Sequence, residues 1–568
     1  MFFISLGALL ALEIPLTKIG FIFIVLQFLF CLIFAGVAAD IFELKHNCSV
    51  GMQLFSLITS LGICLYGAQT FISTQLGEGL GIRATDILVY TIGFSREYAE
   101  AGVSIIDAIC ALYSVYILCC AFFKKLALIF TEGKVLSDCK LFELILYLII
   151  FIFTCAVVTY AYSNSNAFFW KDGEMMSDII YTSDGPLIVS QGNAFLKSVH
   201  WANDRHQFLF AIFSAPFTGA AYLISNIFSF IPQAKHLFSA YAQTLLLLIA
   251  NFLLAKATTK TAIRRICFML ITTFAYSYML FSIMIEQYIV VYFWLTLMVY
   301  QLSEKKKADN IVLIGAGGSM LASLALTPWN SEHHPIKHFG KWFSDMFKSG
   351  LAFVSAALAG GLFNLCMMNS VVLKIASDGI FKSSRILSEA FRQFLIMVQG
   401  FFIAPASGIW HLYDDLTVWL NTVSPELGNE IYSTFHDQYG FLDHYSWQVL
   451  PGPFSICGFV ILALVCISFI VNRHDHICRI AFYWAVISAV LLLVFEMGAT
   501  ENGGILYSLY FGWAYLVLLF KLIARIEEKL HCKVLVPIVT AAFIVCSILY
   551  NVPAISNMLD FAVTYYPI

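Results

Sequence analysis

Two small groups of ionisable residues stand out in a chain that is otherwise almost free of charge. One lies in the stretch 164–217, which opens SNSNAFFWKDGEMMSDIIYTSDG and closes WANDRHQFLFAIFSAPF. Asp172, Glu174 and Asp178 fall within one or two helical turns of each other, and Asp204, Arg205 and His206 lie at the far end of the loop. A carboxylate at the edge of an apolar medium gains proton affinity and can take a proton from a reacting hydroxyl. An arginine beside a histidine, just ahead of an apolar segment, suits a phosphate held by charge-assisted hydrogen bonds. The other group is Glu286-Gln287-Tyr288, a polar tripeptide between two apolar runs. A loop touching water is polar without any chemistry, so the elements around these residues have to decide what they are for.

Those elements read as membrane spans. The chain has 568 residues, 60% of them hydrophobic and 12% charged, with a mean hydropathy of +0.84. A soluble domain carries about a quarter charged residues. Apolar runs long enough to cross the hydrocarbon, about 20 residues each, recur from end to end. They are continuous rather than alternating, which favours helices over a barrel. The expected fold is an all-α, polytopic transmembrane helical bundle of about 13 spans with external juxtamembrane helices. The spans fall at approximately 19–38, 52–72, 101–123, 141–162, 239–256, 266–283, 287–302, 309–326, 349–373, 453–471, 480–498, 504–523 and 534–551. Residues 1–16 and 85–94 are apolar but short, which suits interfacial or re-entrant pieces. The N-terminus has no basic n-region or small-residue cleavage site and reads as an uncleaved membrane segment.

A net charge of −3 and the lack of a long basic or acidic tail make nucleic acid an unexpected partner. The 15 cysteines include no C-x-x-C pair, and most lie inside apolar runs, as buried free thiols do. Lysines and arginines cluster at 124–140, 257–265, 303–310, 473–479 and 521–529. Placing all of these in the cytoplasm puts 164–238 and 374–452 outside. It also lays 207–230 along the external surface instead of across the membrane. Lys337, Lys341 and Lys348 belong inside on the same rule, which is satisfied if 309–326 is a half-membrane hairpin bent at Gly315, Gly317 and Gly318. Four regions result: additional N-terminal helices over 1–135, a core over 136–373 with its external loop at 164–238, an external membrane-surface cap over 374–452, and C-terminal spans over 453–568.

Other polar residues have plain readings. Asp107 is ionisable within a span, a functional hypothesis by default, yet about two turns from its outer end. His474-Asp475-His476 looks ligand-like but sits in a charged connector, and His333, His334 and His338 are close enough in sequence to share a metal. The glycines of GAGGSM at 315–320 suit close helix packing better than phosphate binding. His411, Asp414 and Asp415, flanked by Trp410 and Trp419, could contact an acceptor sugar or simply line an interfacial fold.

The order of features resembles the GT-C superfamily of polytopic glycosyltransferases, in particular its bacterial protein-mannosyltransferase-like branch. A span running outward is followed by an external loop with an early acid, a His-headed apolar segment ending at Pro216, a span ending in basic residues, and a hairpin with Glu286 and Tyr288 at its tip. ENGGILYSLYFGW at 501–513 is similar to a late external loop in some of these relatives. Usable landmarks cover residues 141–310, and Gln207 stands where the family usually has proline. The resemblance implies Asp172 as general base, Asp178 and Glu286 as further catalytic acids, and Glu174, Asp204, Arg205, His206 and Tyr288 as substrate-binding residues. It implies a polyprenyl-phosphate-linked sugar as donor, a glycan or lipid acceptor, inversion at the anomeric carbon, and an active site on the external face of a bacterial inner membrane. A divalent metal among Asp172, Asp178 and Glu286 is left open, and no metal ligand is assigned. Two other functions stay in play. A transporter or flippase of a lipid-linked saccharide calls for charges or broken helices near the midplane. A polysaccharide polymerase or ligase calls for a late loop rich in arginine and histidine, and 374–452 holds Arg385, Arg392, His411, His436 and His444.

Overall fold

The computed structural model describes residues 43–73, 88–132, 135–136, 138–165, 210–305, 307–333, 335–368, 394–395, 397–404, 457–493, 507–565 and 567–568. In chain order the helices are α1 (Val50–Ser73), α2 (Arg96–Glu132), α3 (Leu141–Asn164), α4 (Phe210–Ile227), α5 (Ala234–Thr258), α6 (Ala262–Phe274) and α7 (Tyr276–Ile283). They continue as α8 (Gln287–Lys305), α9 (Asn310–Ser319), α10 (Phe339–Met368), α11 (Cys457–Asn472), α12 (His476–Leu493), α13 (Ser508–Lys529) and α14 (Leu535–Tyr565). Among the described residues there is no strand, only an isolated bridge between Ser165 and Pro567. Five helices, α3, α5, α12, α13 and α14, are long and apolar enough to cross a membrane, and α6 with α7 makes a sixth, bent by 65°. Shorter apolar stretches are Val50–Cys64, Asn310–Ser319 and Cys457–Asn472. Among the described residues the chain is thus nearly all helical, with several helices suited to a membrane; of the thirteen expected spans 19–38 lies outside the described residues, and 52–72, 101–123, 287–302, 309–326, 349–373 and 453–471 are not among the helices long and apolar enough to cross.

The chain divides into two compact units. Unit 1 comprises residues 1–137, 191–238 and 354–379, and its described core is the meeting of α1, α2 and α4. Helices α1 and α4 cross at glycines: a Cβ on Gly62 would lie 2.0 Å from the Gly219 carbonyl oxygen, and one on Gly219 would lie 2.9 Å from that of Thr59. Backbones can come this close only where side chains are absent, the usual way apolar helices gain contact in lipid. Ile63, Cys119 and Ala215 are buried around the crossing. Helix α4, within the stretch 207–230 expected along the external surface, buries Phe210, Phe213, Ala215, Ala220 and Ala221 within this helix trio.

Unit 2 holds residues 138–190, 239–353 and 380–568. Every residue of α8 from Gln287 to Leu302 is buried, so this helix is enclosed on all sides by the rest of the unit. Helices α3 and α14 keep one face bare, with Leu144, Ile145, Leu148 and Ile152 on one and Ile538, Val545, Ile548 and Leu549 on the other exposed where lipid would lie. After α8 the chain doubles back. Helix α9 runs in, the chain turns at Met320, and a 3-10 segment, Leu321–Trp329, returns. The Ala308 amide then donates to Asn330 Oδ1 at 2.7 Å, which closes the hairpin at the level where it began. Gly317 is the glycine this turn requires, because a Cβ there would meet Leu324 at 2.6 Å and Phe353 at 2.9 Å.

The bend between α6 and α7 contains neither proline nor glycine. Ala275 is extended, and the freed backbone groups are taken up from elsewhere in unit 2. The Tyr276 and Ser277 amides donate to the Phe402 and Phe401 carbonyls, both at 3.2 Å. The Phe274 carbonyl accepts from Ser547 Oγ at 2.6 Å and Asn551 Nδ2 at 2.9 Å. Asn551 also donates to the Phe402 carbonyl and accepts from the Ala404 amide, each at 2.8 Å. Residues 394–404 fall in the stretch assigned to a surface cap by sequence, yet Met397, Val398, Phe401 and Phe402 are buried and tied into this break. Residues 405–456 lie outside the described residues.

Candidate functional site

The helical alternation of unit 2 gives it two ends of different chemistry. At one end α3 begins, α5 ends, α6 begins, α8 ends, α13 ends and α14 begins, and basic residues are paired with acids across these termini. Arg265 and Glu143 are both buried, with Nε donating to Oε2 at 2.8 Å and Nη2 to Oε1 at 2.7 Å. Two further guanidinium hydrogens go to the Lys260 carbonyl at 2.6 Å and the Asp138 carbonyl at 3.0 Å. Arg264 pairs with Glu527 and Glu528, both at 2.9 Å, Lys256 reaches Asp138 at 3.7 Å, and Lys260 pairs with Glu304. Glu527 Oε2 also accepts the Val536 amide at 2.7 Å, a carboxylate placed where the α14 dipole is positive. Cys139, in the connector ahead of α3, has its thiol pushed above the ordinary range by burial and adds no charge. These paired groups close on one another, so this part of the end is an anchor.

The other end carries the tripeptide singled out by sequence. Glu286, Gln287 and Tyr288 form the tip between α7 and α8, and all three are buried, Glu286 completely. The Glu286 amide donates to Gln243 Oε1 at 2.8 Å, which ties the tip to α5. The Tyr162 hydroxyl, from the last turn of α3, donates to the Ile283 carbonyl at 3.1 Å and fixes the approach to the tip. Ser165 Oγ donates to the Ala562 carbonyl at 2.7 Å and brings in the end of α14. The Tyr288 ring packs edge-on against Phe281, Tyr507 and Tyr510, with centroid separations of 6.1, 5.5 and 5.0 Å. The Tyr510 carbonyl accepts from Trp484 Nε1 at 3.0 Å, so the aromatic group is fixed to α12. Tyr507 and Glu527 are separated by about 30 Å of α13, which puts the tip at the end opposite the ion pairs. A carboxylate with an amide and phenols around it can accept hydrogen bonds from sugar hydroxyls and offset positive charge on a reacting carbon.

Of the site residues expected from sequence, Glu286 and Tyr288 are thus found together at one end. Asp172, Glu174, Asp178, Asp204, Arg205 and His206 lie outside the described residues, as do His334, His411, Asp414 and Asp415. Sequence reasoning singled out neither Gln243 nor Tyr162, and Tyr507 and Tyr510 were noticed only as letters of a longer motif. A polar amide inside an apolar span was the available signal for Gln243. His474-Asp475-His476 is a structural connector: Asp475 Oδ1 accepts the Ile477 amide at 3.1 Å as the α12 cap, and Oδ2 accepts Lys521 Nζ at 2.7 Å. His333 and His338 lie ring to ring at 6.0 Å. Among the described residues no group of three or more His, Cys, Asp or Glu side chains is arranged to hold a metal. No family model, curated protein or solved structure matches the chain.

Proposed function

We propose that this protein is a membrane glycosyltransferase that moves a sugar from a polyprenyl-phosphate donor to an acceptor hydroxyl on the extracytoplasmic face. The observation that carries this reading is the packing of Tyr288, two residues from Glu286, against Tyr507 and Tyr510. Two stretches that resemble separate external landmarks of GT-C enzymes, far apart in sequence, come together at the end of the bundle opposite the paired basic residues. By the positive-inside rule that end faces outward. In this reading the acceptor oxygen forms a bond to the anomeric carbon as the carbon–oxygen bond to the lipid phosphate breaks. The acceptor proton passes to the Asp172 carboxylate, the bonding pair leaves with the phosphate, and Arg205 and His206 offset the charge that develops there. Glu286 faces the positive charge that builds on the sugar ring, while the tyrosines hold the ring by its apolar face. Direct displacement inverts the anomeric configuration. The membrane would be a bacterial inner membrane, with the lipid tail of the donor in the bilayer.

One observation speaks for a transporter instead, namely the break between α6 and α7. Ala275 lies about 15 Å of helix from Arg265, half the depth of a hydrocarbon core of about 30 Å. Broken helices of transporters offer backbone groups to the substrate. Here the Phe274 carbonyl and the Tyr276 and Ser277 amides are bound by the protein itself, which favours a structural junction. The deciding experiment compares Asp172→Asn and Glu286→Gln with the parent in membranes supplied with lipid-linked sugar. Glycan transfer should fall at least about a hundredfold in each. Unchanged product from well-expressed variants overturns the enzyme reading, and loss of lipid-linked sugar translocation without any transfer activity in the parent would establish the transporter.

A further inference from the structure

We propose that the first half of α10, from Phe339 to Leu351, with Ile336 and Lys337 just ahead of it, is a docking surface for anionic phospholipid headgroups. Its location is set by the hairpin of α9. Asn330, bonded to the Ala308 amide, also donates to Ser349 Oγ at 2.7 Å, so the Ser349 turn of α10 lies beside the exit of α8, at the end of unit 2 that carries the ion pairs. One side of the half-helix is fixed to protein. Trp342 Nε1 donates to the Pro328 carbonyl at 2.8 Å, and Ser331 Oγ donates to Asp345 Oδ2 at 2.7 Å. The opposite side is bare: Phe339, Phe343, Phe347 and Leu351, spaced by four residues, are 62, 46, 59 and 55% exposed.

At 100° per residue those four side chains cover an arc of about 120°, and Lys341 and Lys348 fall about 60–80° beyond its edge, with Lys337 in the turn just ahead of the helix. All three lysines are exposed, and none has an ion pair among the described residues. An aromatic stripe bordered by lysines is the pattern of a helix lying in the plane of a membrane interface. The lysine stems can follow the apolar stripe while the ammonium groups reach the phosphates. The contrast with the adjacent basic residues identifies the occupant. Arg264, Arg265, Lys256 and Lys260 are neutralised by carboxylates of the same unit. The α10 lysines are not paired among the described residues, Asp345 is turned to the protein side, and a lipid phosphate would supply the complementary negative charge. At a depth fixed by an apolar stripe, the negative groups within reach are lipid phosphates. This surface is independent of the proposed transfer reaction.

The test uses the full chain in mild detergent, titrated with phosphatidylglycerol or phosphatidylcholine, with bound lipid counted by native mass spectrometry. Near a membrane surface each lysine is expected to favour the anionic lipid by about fivefold, and the three together by up to about a hundredfold. The preference should weaken at high salt. It should vanish in Lys337→Gln/Lys341→Gln/Lys348→Gln and persist when all three are arginine. If the triple glutamine variant fails to fold, each single variant should lose about fivefold. Inorganic phosphate should not displace the lipid. An equal preference in the parent and the glutamine variants overturns the proposal, as does a parent that binds both lipids alike or releases phosphatidylglycerol to inorganic phosphate.

Discussion

At one end of unit 2 the buried Glu143 is met by the guanidinium of Arg265 at 2.7 and 2.8 Å, while at the other Glu286 is equally buried behind an amide tie from Gln243 and a wall of tyrosines. Both carboxylates belong to the same helical framework, and both are out of contact with water. The first is answered by an opposite charge and by backbone carbonyls that saturate that charge in turn. Its arrangement is complete without any further molecule. The second sits where residues from α5, α7, α8 and α13 converge, among groups that recognise hydroxyls and apolar ring faces. The first end is an anchor, and the second is where the proposed transfer reaction would take place.

The comparison breaks most directly at the anchored end. Arg265→Ala leaves Glu143 buried without its partner, and stability should fall by about 3–5 kcal/mol, read as thermal unfolding in detergent. The double variant Glu143→Leu/Arg265→Leu should recover much of that loss, because two apolar side chains need no compensation there. If the double variant is as unstable as the single one, the pair is doing more than cancelling its own burial. At the other end the expected effect lies in rate. Glu286→Gln keeps the shape of the side chain and should leave the unfolding temperature close to that of the parent. Transfer should drop about a hundredfold or more, about 2.7 kcal/mol of barrier. A variant that unfolds early and retains its residual activity would put Glu286 in the same class as Glu143.

Much of this division was visible in the sequence, and the part that was not has a physical reason. The alternation of basic clusters with polar tips follows from charge and span length, which are local properties, and it gathers the basic clusters at one end, while the resemblance pointed to Glu286. The hairpin turn at GAGGSM could be anticipated because Gly317 supplies the required space by its own identity. The break at Ala275 could not. The surrounding FAYSY has no proline or glycine, and helix propensity favours continuation; what ends α6 is a set of hydrogen bonds to residues 400–404, Ser547 and Asn551, more than a hundred positions away. Nor could the sequence reveal that α4 would meet α1 glycine to glycine, since Gly62 and Gly219 acquire meaning only as a pair.

That break lies between the two ends and offers an intermediate test. Asn551→Leu removes the amide that serves Phe274, Phe402 and Ala404, and the loss should be about 2–4 kcal/mol, since buried backbone groups lose their partners. Gly512→Ala probes the same region from α13. A Cβ there would fall 2.1 Å from Phe401 Cδ2 and 2.6 Å from Phe401 Cβ, so the ring and its backbone must move. A cost of about 1–3 kcal/mol is expected. Because residues 400–404 are held by the break, both variants should lower transfer only as far as they lower the folded fraction. A larger fall in rate would mean that the break helps to position the reacting end.

The smallest expected effect sharpens the comparison by strengthening the anchored end. Helix α13 finishes in a turn where the Cys532 amide donates to the Glu527 carbonyl at 3.1 Å and the His531 amide to that of Glu528 at 3.3 Å. This closure needs a left-handed residue between them, and His531 adopts it with φ of +50°. A side chain in that conformation costs about 1 kcal/mol that glycine avoids, although glycine gives back part of the gain through a freer unfolded chain. His531→Gly should therefore raise stability by about 0.5 kcal/mol and make the Glu527 bond to the Val536 amide more persistent, which hydrogen exchange at Val536 would register. The distance to Tyr288 predicts no change in transfer rate at a given temperature. If the rate changes while the unfolding temperature does not, the two ends are coupled through α13 and the separation of anchor from reacting end fails.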